Sequence, residues 1–500
     1  MTIKPERPPA AAGDTAAAPM SATPAAGVSD EELLAQLGYK PELDRALGLF
    51  SSFAVQFSSI AVASSMVTQM IIGLQAFGPA SWWVFLIAGA LQVGLIGVAI
   101  AQLVSAFPLS GGVYQIVTRL TGKTWLGWQT GWQIILAHTV AVTAIATSLA
   151  PYVAKLFGME LASPVQAIPW VLGLIALATF VNLVGVRVAA FVNNAGVVAE
   201  IVAIILILGA LVVIQHPWQP VAFLNTTDGT AISDGWVKGL VLAVVLPVFT
   251  ISSFDSSGNA SEETTDAARK VPIGLCLANS SAWLVGTLFM GLLMLSIDDL
   301  PTVMGSDTPV AVILDSAVGH TISTIFQTLA IIALFACMCV LQLTGARVTW
   351  AQARDGQLPF AATLRKVDSR RIPVYATLVV AALSLLYGLY SQALVVLGAL
   401  TALGWALAYL VGASSGLVAL MRGRLPASPF NCGRATWPVF IGAVAWSVIL
   451  CVIIVYTDPV KVGGGMIAAI AVGFAVYFSV PSARRGKVVG VGGTASTSEQ

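Results

Sequence analysis

A chain of 500 residues that is 57% hydrophobic and only 9% charged cannot present a water-facing surface, since soluble domains carry about 25% charged residues. Its net charge of +1 supplies no basic face, which excludes a nucleic-acid binder. Several apolar runs exceed the ~18 residues that mark a membrane helix, so the chain reads as an all-α polytopic membrane protein with the lipid bilayer as its main partner.

Residues 1–36 are predicted to be a disordered cytoplasmic tail: the first thirty are rich in Ala and Pro, a composition with too little apolar surface to order itself. No cleavable leader pattern opens the chain. The polar stretch 31-EELLAQLGYKPELDRALG-48 then leads into the bilayer. Apolar runs between polar breaks predict twelve helices, at 47–73, 81–106, 125–154, 166–185, 189–214, 236–260, 272–297, 319–346, 373–390, 392–421, 435–456 and 464–483. The tail 486–500 closes the chain. With the N-terminus inside and alternating sides, 21 of the 24 Lys and Arg fall on the cytoplasmic side; only Lys155, Lys238 and Lys461 face outward. This positive-inside pattern predicts that both termini are cytoplasmic; the Ala/Pro-rich tail looks bacterial, and the expected location is the plasma membrane, of the bacterial inner-membrane kind. The five cysteines (276, 337, 339, 432 and 451) sit mostly in apolar runs, lack metal-site spacing and read as packing residues.

Two segments look interrupted: 57-FSSIAVASS-65 in the first helix and 249-FTISSFDSS-257 in the sixth. Each begins with Phe and places a Ser pair seven and eight residues later. One opens the first five helices, the other the next five. A break at membrane depth leaves backbone groups that need protein, water or ligand, and paired interruptions in two halves point to a transporter's site. The predicted substrate contacts are therefore Ser58, Ser59, Ile60, Ala61, Val62 and Ala63 at the first break, and Phe249, Thr250, Ser252, Ser253 and Phe254 at the second. Free N–H groups at a half-helix start suit a carboxylate; exposed carbonyls suit an ammonium. The expected partner is a small zwitterionic or cationic solute. Serine-rich membrane helices that simply pack are the alternative.

At 37-LGYKPELDRALGLFSSFAVQFSSI-60, 105-SAFPLSGGVY-114, 182-NLVGVRVAAFVNN-194, 249-FTISSFDSSGNASEETTDAARKVPIG-274 and 347-RVTWAQARDGQLPF-360 the chain resembles the amino acid–polyamine–organocation superfamily, nearest the amino acid/choline permeases. The resemblance runs from about Leu37 to Arg485 and rests on the three stretches SGG-x-Y, SEET and ARDG-x-LP occurring in order. It implies a LeuT-type fold, with inverted five-helix repeats at 37–214 and 236–421 and two further helices within 435–485. It also implies alternating access for amino acids, GABA, choline or related amines. Where that family usually has Gly before the aromatic–acid pair of the sixth helix, this chain has Ser253, and the first break is likewise poor in glycine.

Two acids lie within the predicted helices, Glu200 and Asp255. A charge at a helix centre costs roughly 2.5–3.5 kcal/mol on insertion scales, so both are candidates for coupling or gating. For Glu200 the alternative is a structural carboxyl; for Asp255, a solvated helix end. His138 is a candidate substrate contact because it titrates in the useful range, against a packing role. Arg45 is a candidate inner gate paired with a cytoplasmic acid, against an interfacial anchor. No cofactor is expected beyond a coupling ion, with the proton favoured over Na⁺; exchange and a non-transporting nutrient sensor are the other readings. Scattered His138, His216 and His320 and two separated acids speak against a membrane enzyme. Nothing in the sequence sets the oligomeric state.

Overall fold

The computed structural model describes residues 29–159, 161, 163–214, 217–227, 235–306, 308–389 and 394–480. The expectations for 1–28 and 486–500, and His216, lie outside the described residues. Within them the regular structure is helical, apart from one isolated bridge between Leu47 and Thr264. Ten helices are long and apolar enough to cross a bilayer, so the protein is a multi-pass membrane protein.

In chain order, span 1 is Leu49–Ile60 and Val62–Phe77, and span 2 runs from Ser81 to Ala106 through a π-helical turn at Gln92–Gly97. Spans 3 to 5 are Thr124–Leu156, Pro164–Val184 and Val186–Ile214. Span 6 comprises Trp236–Ala243 and Val245–Thr250, then irregular backbone, then the single turn Ser256–Asn259. Spans 7 and 8 are Ala267–Leu295 and His320–Arg354, with the short helix Pro309–Val318 between them. Spans 9 to 12 are Val374–Leu389, Leu394–Met421, Thr436–Thr457 and Gly464–Ser479. The sixth and ninth are shorter than the ten.

Two boundaries differ from expectation. Residues 30–36, placed in the N-terminal tail, form a helix (Asp30–Gln36) because Ser29 and Glu32 close a capping box and Leu34 and Leu37 are buried. Span 8 continues eight residues past 346, because its end is buried in protein: Val348, Trp350, Ala351 and Ala353 are all fully inside.

Small residues set the helix contacts, as lipid provides no hydrophobic drive between helices. A Cβ at Gly196 of span 5 would lie 2.2 Å from the Ala336 methyl of span 8. One at Gly404 of span 10 would meet Ala137 of span 3 at 3.1 Å. Span 8 packs along spans 3 and 5, span 10 along span 3, and span 7 against the first half of span 1. These long helices surround both interruptions.

Candidate functional site

Span 1 breaks at one residue. Ala61 takes a left-handed conformation (φ 45°, ψ 57°), which costs an L-residue roughly 1–2 kcal/mol. In a continuous helix the Ala63 N–H bonds the Ser59 carbonyl. Here the two are parted: Ala63 N–H donates to Glu200 Oε1 at 3.0 Å, and the Ser59 carbonyl accepts from Ser253 Oγ at 3.3 Å and from Cys337 Sγ at 3.8 Å. The Ile60 carbonyl takes Ser65 Oγ at 2.9 Å. The backbone groups released by the break are satisfied by side chains, as burial demands.

Span 6 opens more widely. Its helix ends at Thr250 and resumes at Ser256, and Ser253 between them has φ 53°. A glycine takes that conformation without strain; here Ser253 holds it and uses its hydroxyl to reach Ser59 Oγ at 3.0 Å. Gln56 ties the breaks together, donating to the Ser253 carbonyl at 3.0 Å and accepting from Ser257 N–H at 3.2 Å. Beneath them Asp255 is wholly buried. Its carboxylate accepts from Tyr409 Oη at 2.6 Å and Asn259 Nδ2 at 2.8 Å, and this burial overturns the solvated-end alternative.

Between the breaks and spans 3, 8 and 10 lies a cavity of about 30 Å³, room for roughly one or two waters. Ser59, Ile60, Phe249 and Ser252 line it on one side; Ala141, Ala144, Thr401 and Trp405 form the far wall. Ser148 belongs both to this cavity and to a cleft of about 750 Å³ between the Lys155 end of span 3, the His320 end of span 8 and helix Pro309–Val318.

The opposite, arginine-rich face is plugged. Arg354 makes two hydrogen bonds to Glu262, at 2.8 and 2.9 Å, and stacks over the Tyr39 and Trp350 rings at 3.9 and 4.4 Å. Arg347 pairs with Glu263 at 2.6 Å, both buried. Asp355 accepts from Tyr39 Oη, Tyr114 Oη and Gln115 Nε2 at 2.9, 2.6 and 2.8 Å. Burial first, then the charge of Asp355, pushes the Tyr39 phenol up to about 12, so it keeps its proton and donates. The backbone of Leu47 pairs with Glu263 and Thr265 at 2.9 and 3.0 Å, joining the approach to span 1 to the end of span 6. Gly112 is required: at φ 44° a Cβ would lie 2.5 Å from Asn259 Oδ1. The three sequence stretches SGG-x-Y, SEET and ARDG thus meet in one plug.

An amino acid permease family profile matches residues 47–476, which contain both breaks, the cavity and most of the plug. The chain belongs to the amino acid permease family. It is 26% identical over 468 residues to the amino-acid permease BAT1 homolog of Oryza sativa subsp. japonica, covering 86% of this chain and 87% of the relative. With amino-acid permease BAT1 of Arabidopsis thaliana it shares 26% over 463 residues, 85% and 88% of the two chains. With the GABA-specific permease of Saccharomyces cerevisiae it shares 28% over 390 residues, 73% and 67%. These relatives are permeases, not enzymes.

In this permease the predicted residues separate. Ser59, Ile60, Phe249 and Ser252 line the cavity; Ser58, Ala61, Ala63, Thr250 and Ser253 are buried in the same two segments. Val62 faces away, against Gly286 of span 7. Phe254 does not close over the cavity: it packs edge-on to Tyr409 at 5.6 Å and against Gly97. His138 donates from Nδ1 to the Ile134 carbonyl at 2.8 Å and stands edge-to-face with Trp405 at 5.5 Å, behind the cavity wall. Arg45 pairs with Asp30 at 3.1 Å, whose carboxylate also accepts the Asp266 N–H that begins span 7, at 2.7 Å. Cys337, read as packing, lines the cavity. Thr401 and Trp405 were missed. Their signal, two hydrogen-bonding residues at i and i+4 in an apolar run, is too common to single them out.

Proposed function

We propose that this permease is a secondary active transporter moving an amino acid or a related small amine, GABA included, by alternating access with proton coupling through Glu200. The observation that carries it is the Ala63 N–H given to Glu200. That N–H sits at the start of a 16-residue half-helix, where the positive dipole end favours an anion. Glu200 and Ala63 stand behind the Ser59–Ile60 lining of the cavity, and a substrate carboxylate that reaches the half-helix start competes with an ionised Glu200 for this N–H. A proton on Glu200 withdraws its charge, frees the N–H and favours the substrate; loss of the proton inside reverses the balance. Proton and substrate then travel together, as linkage requires.

The Ser59 and Ile60 carbonyls, which a sodium cage would use, are occupied by Ser253 and Ser65, which supports the proton as coupling ion. The arginine-rich face is cytoplasmic by the positive-inside pattern, with both termini on it, in a plasma membrane. The plug then closes the inside, and the larger cleft faces outward. Two inverted repeats, 37–214 and 236–421, are supported by the packing: adding five to span numbers exchanges the pair 3–10 with 8–5 and returns 3–8 to itself.

Reconstitution in proteoliposomes tests the coupling. An inward proton gradient, with N-methylglucamine replacing sodium, drives uptake in the wild type. Glu200→Gln loses gradient-driven accumulation and retains counterflow exchange. Full accumulation by the variant, or uptake that collapses without sodium, overturns the proposal.

A further inference from the structure

The far wall of the cavity holds hydrogen-bonding groups that the fold does not use. Thr401 is fully buried, and its Oγ1 finds no partner among the described residues. Thr143, Thr179, Thr344 and Thr349, also within helices, each return their hydroxyl to the carbonyl four residues back, whereas Thr401, like Thr250 at the second break, leaves its hydroxyl unpartnered. One turn on, Trp405 is 4% exposed, and its indole Nε1 is likewise without a partner. Both residues line the cavity. Buried polar groups are left unpaired rarely, and each costs stability. Two on one wall point to a ligand atom that completes them.

Their chemistry defines that atom. An indole N–H only donates, and a hydroxyl donates or accepts, so the match is a hydrogen-bond acceptor. None of the described residues lining the cavity is an Asp, Glu, Lys, Arg or His. A charged tail would therefore be buried without a counterion, which is costly. Ala141 and Ala144 of span 3 leave the approach open for a side chain. We infer that Thr401 and Trp405 are specificity-determining residues which select substrates carrying a neutral hydrogen-bonding tail, a carboxamide or hydroxyl, over aliphatic or charged ones. This rests on the reading of the cavity between the breaks as the substrate site. The cavity must widen to admit such a tail, and Ser148 is where it meets the outer cleft.

The experiment compares proteoliposome uptake of glutamine, glutamate and norleucine, the last matching glutamine in length without its amide. The wild type takes up glutamine in preference to both. Thr401→Val and Trp405→Phe each lower the glutamine-to-norleucine ratio about tenfold, the cost of an unmet buried hydrogen bond, and Thr401→Ser, keeping the hydroxyl, restores it. Equal uptake of the three by the wild type, or an unchanged ratio in both variants, overturns the inference. Ala141→Leu and Ala144→Leu separate it from the underlying reading. If both fold by gel filtration and leave glutamine uptake intact, the cavity is not the substrate site. If they block uptake while the Thr401 and Trp405 variants leave the ratio unchanged, only the specificity assignment fails.

Discussion

Among the described residues five non-glycines hold a left-handed backbone that would suit glycine better, and two of them mark the breaks. Ala61 and Ser253 sit at φ 45° and 53°. Their side chains are small, and the surrounding bonds over-determine them, which is how strained backbone persists at functional sites. Ala61→Gly relieves the strain and keeps uptake within about twofold of wild type, whereas a β-branched valine is a steric outlier there and abolishes uptake. Thermal unfolding in detergent reads the same order, with Ala61→Val the least stable. Ser253→Gly separates strain from bonding: it relaxes the backbone but loses the hydroxyl to Ser59, so uptake survives weakened. A wild-type rate in Ser253→Gly would show the Ser59 contact to be dispensable. The location of both breaks was legible from paired Phe and Ser spacing. Which residue turned was not, because any small residue between the serines fits that pattern.

Between elements, the plug is where charge is most concentrated. Removing one partner of a buried ion pair leaves the other uncompensated, a loss of about 3–5 kcal/mol. Arg347→Met therefore falls sharply in folded yield, and Arg347→Met with Glu263→Leu recovers most of it, measured by fluorescence-detected gel filtration. Arg354 has a different task, since it joins the end of span 8 to the SEET segment and to Tyr39. Arg354→Lys loses the two-pronged contact with Glu262 and the ring stacking. It loosens the plug, and a reporter cysteine at Ser110 reacts faster with a membrane-impermeant thiol reagent applied from the arginine-rich side. An unchanged rate removes the gating role of this contact. In sequence these stretches looked like family markers spread along the chain; their convergence depends on how the helices pack.

Across the whole molecule, close helix contacts frame the cavity. Gly196 and Ala336 nearly touch, so Gly196→Leu pushes span 5 off span 8 and carries Glu200 away from Ala63. Loss of pH-dependent uptake, with folded protein still recovered in the milder Gly196→Ala, is the expected result. The larger cleft on one face and the paired, buried charges on the other are what one half of the proposed alternating-access cycle calls for. The complementary half requires the plug to part, which means separating the Arg354–Glu262 and Arg347–Glu263 pairs and the buried apolar cluster of Leu43, Tyr114, Trp350 and Ala351 beside them.

Class and helix positions followed from composition and hydropathy, and the interruptions from the matched Phe and Ser spacing, because the bilayer forces backbone satisfaction within each segment and so writes topology into local sequence. Helix Asp30–Gln36 was overlooked although its Ser29–Glu32 capping box is a local signal, while the length of span 8 escaped because its end is set by burial against distant residues. Likewise Glu200 stood out alone as a charge in an apolar run, but its partner, the Ala63 N–H, lies 137 residues away. The far wall of Thr401 and Trp405 was visible only after folding. A hydrogen-bonding side chain declares itself unused once every neighbour that might have satisfied it has been placed, and that is a property of packing in three dimensions rather than of residue order.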